Sequence, residues 1–149
     1  MYEVETIFEN ETTVCMTEEV LDAIIRHDGI RPQDIDLTDL PGGLLKKIEY
    51  WSRAGFRKHE GRHGQPIKYE DQGVYRIGYG DLFRIYGFYT DESRKDKFIA
   101  IKPWANKRGK KNTSRERAVI TEVARVKRDV DWIERESEAE GTSGSGALS

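Results

Sequence analysis

The chain has 149 residues, of which 25 are Lys or Arg and 27 are Asp or Glu, for a formal net charge of −2. That length suits one domain, and a single cysteine, Cys15, excludes an internal disulfide framework and a cysteine-only zinc site. No apolar run approaches the roughly 18 residues of a membrane span, and the N-terminus is acidic where a secretory leader would be basic, so a soluble, cytoplasmic protein is expected.

Residues 2–8 alternate in part, as a half-buried strand does. Thr17, Glu18 and Glu19 mark a helix start, because Thr caps and the acids suit the positive end of the helix dipole. Val20, Leu21, Ile24 and Ile25 fall on one face of that helix, and Gly29 with Pro32 ends it. Asp36 to Asp39 and Pro41 open a second helix, with Leu44, Leu45, Ile48, Trp51 and Ser52 on its buried stripe and Gly55 as its stop. Residues 57–73 are polar and rich in turn formers.

The strongest strand signal follows. Residues 74–79 and 82–89 are aromatic and β-branched runs around Gly80 and Asp81, a hairpin pattern. A polar turn over 90–96 leads to a third run at 98–102, which makes a meander, and Pro103 is expected to end it. A basic loop over 104–112 precedes Thr113 and Glu116, which have the spacing of a capping box. Val119, Val123, Val126, Val130 and Ile133 then form a helical stripe, and Gly141 to Gly146 reads as a flexible tail. The expected fold class is α+β: a small twisted antiparallel sheet, built from an N-terminal strand plus the three-stranded meander. Two N-terminal helices and one C-terminal helix pack on it, in a single domain over 1–140 with a tail over 141–149.

The net charge conceals a segregation. Residues 1–22 carry seven acids and no base, residues 94–128 carry thirteen bases against three acids, and residues 129–149 hold a local −5. An excess of +10 in one short stretch is an electrostatic footprint for a polyanion. Lys102, Lys107, Arg108, Lys110 and Lys111 supply it near Trp104, with Tyr75, Tyr79, Tyr86 and Tyr89 close by. Cations grip phosphate and aromatic faces stack on splayed bases, which is how single-stranded RNA is recognised.

Arg76 and Arg84 interrupt apolar strands, where an arginine must reach solvent or meet an anion. A two-residue turn at Gly80 and Asp81 puts them on opposite faces. A three-residue turn starting at Tyr79 pairs them directly, and like charges so opposed call for an anion such as phosphate. Both registers are open to the sequence. His59 and His63 have the spacing of two metal ligands, but Gly61 lies between them and no third ligand is near, so no metal is expected.

The run from Gly73 to Tyr89 resembles the paired-strand core of the RelE/ParE toxin superfamily, most of all its HigB-type and phage-derived members. There, an arginine-bearing strand turns through a Gly/Asp loop into a strand of the form tyrosine or phenylalanine, arginine, aliphatic, aromatic. Phe83, Arg84, Ile85 and Tyr86 match that form, and the apolar strand, lysine-rich loop and helix with Ala118, Ala124 and Arg125 follow in the same order. The likeness covers about residues 40–130. It implies the toxin of a type II toxin–antitoxin pair, an endoribonuclease cleaving mRNA on the ribosome without metal or cofactor and neutralised by a cognate antitoxin. The ribose 2′-hydroxyl would attack the adjacent phosphorus, with Arg84 on the scissile phosphate, Arg76 in support and Tyr86 stacking or assisting proton transfer. Trp104, Lys102, Lys107, Arg108, Lys110 and Lys111 would hold flanking RNA. Other members poison gyrase, and a non-catalytic adaptor of the same fold is the alternative. The acidic N-terminal stretch departs from the family pattern, and one reading is that it covers the basic surface in cis.

Overall fold

A computed structural model describes residues 1–61, 64–79, 83–105 and 113–135. The elements run β1 (Tyr2–Phe8), β2 (Thr13–Thr17), α1 (Glu18–His27), α2 (Leu44–Ala54), β3 (Ile67–Asp71), β4 (Val74–Tyr79), β5 (Phe83–Tyr89), β6 (Lys97–Trp104), α3 (Ser114–Asp129) and β7 (Trp132–Glu134). All seven strands join one sheet in the order β3-β4-β5-β6-β2-β1-β7. Pairing is antiparallel from β3 to β6 and between β1 and β2, but parallel between β2 and β6 and between β1 and β7.

This corrects the expected small antiparallel sheet with a three-stranded meander. The sheet is mixed and larger, because β2, β3 and β7 lie in segments that carry little strand signal. β3 sits in the polar, turn-rich stretch, and β7 takes up Ile133 from what reads as the end of a helical stripe. The helix stops instead at Asp129, where Val130 turns left-handed at φ 50°.

Each helix has a sheet face to cover. Val20 and Ile24 of α1 and Leu44, Leu45 and Ile48 of α2 pack with Met16, Ile77, Ile85 and Phe98 on one face. On the other, Ile120, Val123, Ala124 and Val126 of α3 pack with Tyr86, Phe88, Ile99 and Ile101. Alternation along β5 feeds both cores, so the strand is buried nearly throughout.

Three local expectations also change. α2 starts at Leu44 rather than near Asp36, and its first amides bond to Asp28, sixteen residues earlier, at 2.8 and 3.0 Å. Pro103 lies within β6 rather than ending it. Its missing N–H is tolerated because β2 pairs with β6 only as far as Ala100. The acidic N-terminus is more than a cover: β1 and β2 are integral strands, while Glu19 and Tyr2 within it hold Lys102, so removing residues 1–22 would take two strands from the sheet along with that contact.

Candidate nucleic-acid interface

The β4–β5 register places the arginines. Tyr79 pairs with Phe83, Gly78 with Arg84 and Arg76 with Tyr86. This is neither of the two anticipated arrangements. The arginines share a face, since paired residues point the same way, but they sit one pair apart, about 6.6–6.8 Å along the strands.

Extending the register gives two parallel rows on the α3 side of the sheet. One runs Lys68, Arg76, Tyr86, Lys102 across β3 to β6. The next runs Gly78, Arg84, Trp104 across β4 to β6. Lys68 directly opposes Arg76, and neither makes a hydrogen bond or ion pair with a described residue. Like charges directly opposed on a sheet are unfavourable unless an anion lies between them. Both are partly buried, which limits screening by water.

Arg84 is anchored: its Nη1 donates to the Phe83 carbonyl at 2.8 Å. Trp104, its partner on β6, has a buried indole N–H with no acceptor among the described residues. Lys102 is committed to the N-terminal elements, with its Nζ 3.1 Å from Glu19 and 5.4 Å from the centre of the Tyr2 ring. Lys107, Arg108, Lys110 and Lys111 lie outside the described residues.

Tyr86 is fully buried under the start of α3. Its hydroxyl donates to Glu116 Oε2 at 3.2 Å, while Glu116 Oε1 accepts from the Thr113 amide at 3.4 Å and closes the capping box. Burial, then the charges of Glu116 and Glu70, push the Tyr86 phenol well above its ordinary range. Tyr86 therefore stays protonated and acts as a strut between sheet and helix. Tyr75 and Tyr89 belong to the opposite core and donate to Glu92 and Glu60, so they are not placed to stack bases on this face.

Other candidate groups are accounted for structurally. Cys15 is fully buried in β2, and burial pushes its thiol up to about 11, which keeps it out of nucleophilic chemistry near neutrality. His59 lies beside Tyr50 and Trp51, and burial lowers its pKa; His63 is outside the described residues. Among the described residues no group of three or more His, Cys, Asp or Glu side chains could hold a metal ion, and no helix is long and apolar enough to cross a membrane.

Lys68 and Gly78 are the site residues that sequence reasoning missed. Lys68 lies in a strand with a weak signal, and Gly78 is a glycine within the 74–79 strand run that no local pattern singles out. No protein-family model, curated protein or solved structure matches the chain.

Proposed function

We propose that the protein binds RNA on the Arg76–Arg84 face and, as the toxin of a type II toxin–antitoxin pair, cleaves mRNA by attack of a ribose 2′-hydroxyl. The observation that carries this reading is the opposition of Lys68 and Arg76 on adjacent strands with no described acid paired to either. A bridging phosphate relieves that repulsion, and Arg84 lies one pair further on to take the developing negative charge. The +10 stretch over 94–128 adds the longer-range attraction. The ribosome and a neutralising antitoxin are the partners this reading entails.

One observation favours a second reading, RNA binding without cleavage: the tyrosine of this face is buried against Glu116, away from any substrate proton. Induced expression with growth measurement and mRNA 5′-end mapping, wild type against Arg84→Ala, tests both. New 5′ ends that vanish in the variant support the toxin. RNA binding with unchanged mRNA supports the second reading, and growth arrest with intact mRNA and no RNA binding overturns both.

A further inference from the structure

Gly78 occupies the middle of a regular strand pair. Its backbone is not left-handed, and the β4–β5 register is unbroken from Tyr75–Gly87 to Tyr79–Phe83. Nothing in the backbone demands glycine there, and glycine inside a strand weakens it relative to alanine. What the position does have is Arg84 lying across it. A Cβ built on Gly78 would come within 3.3 Å of Arg84 Nη1, 3.5 Å of Cζ and 3.6 Å of Cδ. The same Nη1 is tied to the Phe83 carbonyl at 2.8 Å.

We propose that Gly78 is a positioning residue for RNA binding: its missing side chain seats the Arg84 guanidinium against β4, beside the Lys68–Arg76 pair, so that one RNA phosphate backbone meets both rows. This rests on the RNA reading above. The geometry is two-sided. The Phe83 carbonyl holds one guanidinium nitrogen, and the bare Gly78 backbone provides the floor. Arg76 lies two residues before Gly78 on the same face of β4, so the two arginines occupy adjacent rows of that face. A Cβ at position 78 would make Arg84 give by a few tenths of an ångström, and a branched valine would crowd it further, while leaving its charge intact.

The test is a fluorescence-polarisation titration of a labelled, mixed-sequence single-stranded RNA, paired with denaturant unfolding, on the full chain. Variants are Gly78→Ala, Gly78→Val, Arg84→Ala and the double variant Gly78→Val/Arg84→Ala. Valine suits a strand, so Gly78→Val should unfold at the wild-type denaturant concentration or higher. It should nevertheless bind RNA about tenfold more weakly, the loss expected for one charge-assisted hydrogen bond. A merely structural glycine would not separate stability from affinity in that way. In the Arg84→Ala background, Gly78→Val should change affinity by less than about twofold, because the side chain it displaces is gone. Wild-type affinity in Gly78→Val, or an equal loss in both backgrounds, overturns the proposal while the RNA reading stands. Arg84→Ala binding RNA as tightly as wild type also overturns this inference alone, whereas a wild-type chain that does not bind the RNA overturns the RNA reading and this inference with it. If Gly78→Val does not fold, Gly78→Ala carries the same comparison.

Discussion

Tyr86 and Glu116 are joined by a hydroxyl-to-carboxylate hydrogen bond of 3.2 Å that is buried at both ends. It ties the middle of β5 to the first turn of α3, and through the capping box it helps fix where α3 begins. Position 86 is thus occupied by a side chain that sets the height of α3 over the arginine rows.

Removing that hydroxyl takes one hydrogen bond from a buried carboxylate. Tyr86→Phe is expected to lower stability by about 1–3 kcal/mol, read as a shift in the urea midpoint. RNA affinity should fall little. A large loss of RNA cleavage with unchanged stability would return Tyr86 to the chemistry.

The start of α2 depends on Asp28 in the same way. Its carboxylate accepts from the Leu44 and Leu45 amides, and it fills the space a side chain on Gly43 would need, with contacts of 2.7–2.9 Å to a built Cβ. Gly43 also has φ 130°, where L side chains are strained. Asp28→Ala should cost about 1–2 kcal/mol and speed amide exchange in the first turn of α2. Gly43→Ala should cost at least as much.

Close strand packing predicts a contrast between two glycines. A Cβ on Gly87 would collide with the Ile99 carbonyl oxygen and meet the Phe98 ring at 2.7 Å, at the point where β6 accommodates an extra residue. Backbone cannot step aside there, so Gly87→Ala should lower the thermal midpoint steeply or abolish folding, beyond the roughly 1–3 kcal/mol of ordinary overpacking. Gly42→Ala, with nothing within 4 Å of the built Cβ, should be close to neutral.

Acid should loosen the attachment of β1 to α3. Hydrogen bonds from Arg125 and then from Tyr2 hold the Glu122 carboxyl down to about 2, against an ordinary 4.5. A depressed folded-state pKa stabilises fully above the unfolded value, and that stabilisation is lost as pH falls from about 4.5 towards 2. Glu122 is about one-third exposed, so the effect is modest. Thermal midpoints between pH 5 and 2 should fall less in Glu122→Gln than in wild type. Equal slopes would assign the acid sensitivity elsewhere.

Salt dependence reports directly on the proposed phosphate contacts. For single strands, each neutralised phosphate contributes about −0.7 to the slope of log affinity against log salt. Lys68→Ala and Arg76→Ala should each flatten the slope by about that amount, measured between low and physiological salt. An unchanged slope in both would remove the Lys68–Arg76 pair from the interface.

Much of this molecule was legible along the chain. Thr17 and Thr113 cap the helices that follow them, and the aromatic runs at 74–79 and 83–89 are strands. Those signals are local: a hydroxyl reaching an amide three residues on, or a β-branched run suited to a pleated sheet. The α2 boundary failed because its cap comes from Asp28, outside any local window. β2, β3 and β7 failed because short, mixed-polarity segments become strands only when a neighbour supplies their hydrogen bonds.

The amino-acid sequence alone determined the charge segregation, the arginines within strands and the helix starts, since each depends on residue type and near spacing. Tertiary structure decided which cations meet. A hairpin's register is set by its turn geometry and by which side chains each face must bury, and a shift of one residue would send Arg84 to the opposite face. Only the folded sheet brings Lys68 opposite Arg76 and lays Arg84 over Gly78, because those contacts depend on strand pairing rather than on composition.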